Sequence, residues 1–280
     1  MNGPFARPLL ATEHMEYDRG AELLARALAG GMTAPLRAVL PLVSNAELET
    51  VAPQWVERAE ADAARRRQAL EAWFAANGQA VDVQVRRGPD PYELIVDEAR
   101  STGADLLVIR RRGRRGLLAN LLVGEMVSAV VAHAPCSVLV CPRGAQLWHR
   151  GVLVGLDPRA PQPDMLTRAT ELARAAGLPL HVVCVAESAA GRAAAEQALA
   201  AGLVQARQQH ADVHGDVREG RAHQALVDAA RERGADLVVV ARHGGARLSR
   251  AWIGGTAQKV IGLFDGPALI HVNNLPKDAA

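Results

Sequence analysis

Asp157 follows a short apolar run, Val152 to Leu156, and a carboxylate at the carboxyl end of a strand could hold a ribose hydroxyl or a metal ion. Further along, a second apolar run ends at Val240 and leads into Ala241-Arg242-His243-Gly244, and Gly254-Gly255-Thr256 opens a helical pattern. A glycine pair followed by a hydroxyl at a helix start can aim backbone N–H groups and an O–H at phosphate oxygens with no side chain in the way. Val185 ends a third apolar run, and the His243 ring, inside the glycine loop, could touch a phosphate. In an open parallel sheet, ligands bind outside these carboxyl ends, where helix N-termini converge. Asp157, Val185, Val240, Ala241, His243, Gly244, Gly254, Gly255 and Thr256 are therefore the candidate site.

The elements that must position these residues occur twice. Glu93 to Ile109, ELIVDEARSTGADLLVI, returns from Gln224 to Val240 as QALVDAARERGADLVVV. So long a period implies two copies of a whole domain rather than a solenoid. In the first copy, apolar runs at 8–12, 38–43, 81–85, 106–109 and 137–140 alternate with helical patterns at 19–29, 53–77, 94–100 and 125–132. Trp55, Val56, Ala59, Ala63, Leu70, Trp73 and Phe74 form the apolar stripe of the long second helix. The second copy repeats the order, with runs at 152–156, 181–185, 213–217, 237–240 and 268–272 and helices at 165–176, 189–209, 222–233 and 256–263. Apolar strands separated by helices predict a doubly wound α/β domain in each half, with a five-stranded parallel sheet covered on both faces. The expected domains span 1–144 and 145–280, Pro142 to Gly151 is the linker, and 273–280 reads as a frayed tail. Such domains pair along a sheet edge, so the second copy is expected to act as a built-in dimer partner.

The chain has 280 residues, enough for two cores, with 49% hydrophobic and 22% charged residues. Only 3% are aromatic, and the net charge is +2, which together argue against a nucleic-acid platform. Cys136, Cys141 and Cys184 contain no CxxC and sit in or beside apolar runs, so buried reduced thiols are expected. No secretory signal opens the chain, and no stretch approaches the roughly 20 apolar residues of a membrane span. A soluble cytoplasmic protein is the expectation.

The fold order, the repeated G-A-D-L before an apolar strand, and His133 to Val140, HAPCSVLV, give a chain that resembles the universal stress protein family in its tandem form. The resemblance implies an adenine-nucleotide hydrolase-like fold and a regulatory role in stress response. Its nucleotide-binding members carry an aspartate after the first strand and a loop G-x2-G-x9-G-[ST] that cradles ATP phosphates. Asp157, Gly244 and Gly254 match that pattern, Ala241 and Gly255 depart from it, and Thr256 lies one position late. The resemblance therefore implies ATP, with Mg²⁺, in the C-terminal half. In the first half, Glu13 replaces the aspartate, Arg110 the first glycine and Glu125 the Ser or Thr. The Arg110 side chain should fill the space a nucleotide needs, so no cofactor is expected there.

Other readings use the remaining residues. Arg110-Arg111-Arg112-Gly113-Arg114-Arg115 could clamp a phosphate or an acidic partner, but a solvated loop partly neutralised by Glu13 and Glu125 is the simpler expectation. No P-loop, HExxH or GxSxG occurs, Lys259 falls inside a helix, and an enzyme is not expected beyond weak ATP hydrolysis. His133, His181 and His271 read as satisfied structural histidines, and His210 and His214 straddle a helix-to-strand break rather than pairing on a metal. Cys141 lacks any neighbouring pattern that would activate a thiol. The leading expectation is a regulatory protein that binds an adenine nucleotide and an unnamed protein partner, and that can form a homodimer. The competing expectation is a nucleotide-free interaction scaffold with both sites degenerate.

Overall fold

The computed structural model describes residues 4–111, 124–242 and 252–272. The first half runs β1 (Pro8–Ala11), α1 (Arg19–Ala29), β2 (Leu36–Val43), α2 (Ala46–Val51), α3 (Pro53–Ala76), β3 (Val81–Gly88), α4 (Pro91–Ser101), β4 (Leu106–Arg110), α5 (Glu125–His133) and β5 (Ser137–Cys141). The second half runs β6 (Val152–Leu156), α6 (Pro163–Ala176), β7 (Leu180–Ala186), α7 (Arg192–Arg207), β8 (Val213–Glu219), α8 (Ala222–Arg233), β9 (Leu237–Ala241), α9 (Gly255–Leu263) and β10 (Ala268–His271).

Among the described residues, ten strands form one sheet in the order β3-β2-β1-β4-β5-β10-β9-β6-β7-β8. Neighbours within each half are parallel, while β5 and β10 pair antiparallel with Leu139 opposite Leu269. The two doubly wound halves are thus joined edge to edge about a pseudo-two-fold axis, which closes one strand edge of each domain. Central strands such as β4 are buried along their whole length, whereas the outer β3 and β8 are half-buried or exposed at all but one position each. Among the described residues, no helix is long and apolar enough to cross a membrane.

The repeated G-A-D has a physical reason. Gly103 and Gly234 take left-handed φ values of +59° and +69° just past α4 and α8, a conformation glycine adopts without strain. The aspartate that follows holds the chain entering the first strand of its domain. Asp105 accepts from the N–H groups of Ala6 at 2.6 Å and Arg7 at 2.9 Å, and Asp236 accepts from His149 at 3.0 Å and from Arg150 and Gly151 at 3.2 Å.

A pair of arginines crosses the seam. Arg111, one residue after β4, donates to the carbonyls of Ile261 (2.9 Å) and Phe264 (2.5 Å) at the end of α9. Arg242, one residue after β9, donates to Ala132 (3.1 Å), Ala134 (3.0 Å) and, more weakly, Val131 (3.5 Å) at the end of α5. Each domain's last helix is therefore capped by the other domain's arginine, where a cation also suits the helix C-terminus.

Several local expectations are corrected. The segment before the long helix carries its own helix, α2, which the sequence reading missed. Trp55 is 63% exposed and not part of the α3 stripe, which buries Val56, Ala63, Leu70 and Phe74. The helix expected from Ala189 begins as a 3-10 turn, Ala189–Gly191, and α7 starts only at Arg192. The linker is packed: Ala145 and Trp148 are buried, and a Cβ on Gly20 would meet the Pro142 carbonyl at 2.0 Å. The tail at 273–280 lies outside the described residues.

Candidate functional site

A cavity of about 430 Å³ opens at the carboxyl ends of the C-terminal strands. Asp157, Val185, Val240, Ala241, Gly254, Gly255 and Thr256 line it together, while His243 and Gly244 lie outside the described residues. Leu156, Met165, Val185, Leu226 and Val240 supply apolar wall. Gly155 lets that wall close, because a Cβ there would stand 2.8 Å from both methyls of Leu226. On the opposite side Gly254 caps α9 without a side chain, its N–H held by the Arg242 carbonyl at 2.8 Å. The first N–H groups of α9 have no partner within the helix, and a Cβ on Gly255 would meet nothing within 4 Å. The helix start is thus open to a ligand and carries the positive end of the helix dipole.

The sequence reading missed Arg159, Glu187 and Trp252, which also line the cavity. Asp157 Oδ1 accepts from the backbone N–H of Arg159 at 2.9 Å and from its Nε at 3.3 Å, and Arg159 Nη1 lies 3.3 Å from Glu187 Oε2. The hydrogen bond to Asp157 is the main cause that raises the Arg159 guanidinium above its ordinary range. Arg159 stands two residues after the aspartate, and that spacing was the only available signal.

The equivalent place in the first half is nearly closed. Leu10 pairs with Val108 as Val154 pairs with Val239, so Glu13 corresponds to Asp157 and Arg110 to Ala241. Arg110 donates through Nη1 to Asp18 Oδ2 at 2.8 Å and through Nη2 to Glu13 Oε2 at 2.7 Å. A cavity of about 80 Å³ remains. Asp18 is 1% exposed, and burial pushes its carboxyl above the ordinary carboxylate range, with Arg110 pulling in the other direction. The solvated-loop expectation fails for Arg110 and Arg111, since one is buried in this cluster and the other caps α9. Arg112, Gly113, Arg114 and Arg115 lie outside the described residues.

The histidines divide. His133 Nδ1 lies 2.8 Å from the Ala129 carbonyl, and His271 Nδ1 is 3.4 Å from Ser137 Oγ. His181 departs from the expectation: its buried Nδ1 has no partner among the described residues, and its ring stacks on His214 at 5.3 Å. His210 Nε2 faces the Leu178 carbonyl at 2.8 Å and His214 Nε2 faces Asp212 at 2.7 Å, so the two do not converge on one ion. Among the described residues no group of three or more His, Cys, Asp or Glu side chains is placed to hold a metal. All three cysteines are free and buried. Burial pushes Cys136 up to about 12 and Cys184 to about 11, and raises Cys141 as well.

The profile of the universal stress protein family matches residues 7–142 and 149–271. The chain belongs to that family, with two tandem copies of its domain. It is 34% identical over 85 residues to the universal stress protein Sll1388 of Synechocystis sp., a match over 30% of this chain and 54% of that protein, about half its length. A universal stress protein from Archaeoglobus fulgidus DSM 4304 shares the fold at a TM-score of 0.73 and 17% identity, over 95% of this chain and 98% of that one. A functionally unknown protein from Pseudomonas aeruginosa PAO1 does so at 0.69 and 17% identity, over 96% and 93%.

Proposed function

We propose that this protein is a cytoplasmic regulator that binds an adenine nucleotide, ATP with Mg²⁺, in its C-terminal domain and none in its N-terminal domain. The observation that carries the reading is the open cavity that unites Asp157 with the Gly254-Gly255-Thr256 start of α9. Its apolar wall suits a purine, Asp157 a ribose hydroxyl, and the free N–H groups of α9 with the Thr256 hydroxyl suit phosphate oxygens. Bound nucleotide would then alter the surface offered to a protein partner or to a second copy of the chain.

The test is mass spectrometry of nucleotide released from the purified protein, followed by calorimetric titration of ATP and Mg²⁺ into wild type and Asp157→Ala. Recovered or bound ATP, weakened about tenfold or more in the variant, is the expected result. No nucleotide and no heat at high micromolar ATP would overturn it. One observation favours the competing scaffold reading: Arg159 already occupies Asp157 and bridges to Glu187, so a nucleotide must displace a satisfied ion pair. Arg159→Ala separates the two, since it should tighten nucleotide binding if the pair is an obstacle and change nothing if no nucleotide binds.

A further inference from the structure

The N-terminal domain holds a second polar constellation, which touches its closed nucleotide-type cavity only through Thr12. Glu22, on the buried face of α1 and 2% exposed, accepts through Oε1 from the Thr12 hydroxyl at 2.8 Å, and the same oxygen lies 2.9 Å from His14 Nδ1. Among the described residues His14 alone, apart from glycines, has a left-handed backbone, φ +52°, and its N–H donates to Thr12 Oγ1 at 2.8 Å. A strained backbone and a buried carboxylate persist only where the surroundings over-determine them, and such strain gathers at functional sites. Leu156 and Pro158 occupy the matching positions of the second domain and carry neither group.

With Nδ1 engaged by Glu22, Nε2 is the ring nitrogen left for a ligand. A carboxylate behind a histidine fixes the ring's orientation, and in the imidazolium form Nδ1–H donates to that carboxylate while Nε2–H donates to an anionic ligand. His14 lines an open groove of about 500 Å³ with Glu16, Arg19, Glu22, Arg143 and Gly144, between the start of α1 and the interdomain linker. A carboxylate-held histidine also suits a metal, and Glu16 and Glu22 line the groove beside Arg19 and Arg143; but Glu22 is engaged by Thr12 and His14 and Glu16 by Arg143, so the guanidinium groups favour an oxyanion over a cation. Arg19 lies over the Trp73 ring at 4.8 Å and Arg143 over Tyr17 at 5.7 Å. A guanidinium held near a ring by its charge still carries five N–H donors, more than a ring contact uses. Arg143 also pairs with Glu16, both more than half exposed, and a surface pair of this kind is weak enough to exchange.

We propose that this groove is a binding site for a phosphate monoester, contacted by His14 Nε2, Arg19 and Arg143, and separate from the C-terminal cavity. The test uses the full chain with ¹⁵N-labelled histidine, following the His14 imidazole by long-range ¹H–¹⁵N correlation. Inorganic phosphate and glycerol 3-phosphate are titrated in turn against chloride at matched ionic strength. The expected result is a saturable movement of the Nε2 resonance with both phosphates and not with chloride. It should weaken about tenfold in Arg143→Gln, whose side chain is exposed, and remain unchanged in Asp157→Ala. An equal response to chloride, or an unchanged affinity in Arg143→Gln, would overturn the site. A response to inorganic phosphate alone would overturn the assignment to a monoester. Because the readout is His14 itself, failure here is distinct from failure of ATP to bind in the C-terminal domain.

Discussion

The two halves share strand order, the G-A-D capping device and the last-helix arrangement, yet one leaves about 430 Å³ at its strand ends and the other about 80 Å³. The decisive position is the last residue of β4 and β9. Ala241 leaves the second domain open, whereas Arg110 reaches back to Asp18 and Glu13 and fills the first. The cavity is therefore not a requirement of the fold. The closed half replaces a ligand's charge with an internal ion cluster in which Arg110 and Asp18 are desolvated and depend on each other, with the half-buried Glu13 completing the guanidinium's partners.

The most damaging test of that contrast is Arg110→Ala. It strips Asp18 of its buried cation and should destabilise the protein by about 3–5 kcal/mol, read from urea unfolding. Asp18→Asn in the same background should recover much of the loss, and additivity of the two would refute the cluster. Next comes Gly20→Ala, whose methyl would collide with the Pro142 carbonyl, for an expected loss of about 1–3 kcal/mol by the same measurement. Transplanting the closed half's feature as Ala241→Arg should abolish C-terminal ATP binding in calorimetry if the cavity is the site. Unchanged binding would place the nucleotide elsewhere.

A smaller effect concerns pH. The folded Asp18 carboxyl sits above its ordinary value of 3.8, so between that value and its raised one the folded state keeps a proton that the unfolded chain has released. Its contribution to stability is thus complete below the ordinary value and lost as pH rises through the raised one. The difference in urea midpoint between wild type and Asp18→Asn should move in wild type's disfavour across that window and flatten above it. Smallest is thiol reactivity: with all three thiols buried and raised, a disulfide reagent should titrate none in the native state and three after denaturation.

Much of this was legible because it is local. The period of the apolar runs reports strands and helices, the glycine after α4 and α8 reports a left-handed turn, and strand ends locate Asp157, Val185 and the Gly254 segment. What stayed hidden depends on partners distant in sequence. Asp18 is 92 residues from Arg110, and no pattern around either announces the other. The inward turn of Arg111 and Arg242 follows from the β5–β10 pairing, which sequence periodicity does not encode. Arg159 and Glu187 enter the cavity from loops, where side-chain direction is not set by a repeat.

The exchange of Arg111 and Arg242 gives the seam the geometry of a symmetric dimer held within a single polypeptide. In two separate subunits such an interface would be governed by a dissociation constant and would come apart on dilution. Here the linker fixes the partner's effective concentration, so the seam yields to heat and denaturant but not to dilution. That immunity also frees the two copies to diverge, since neither has to remain identical to its partner for the interface to close.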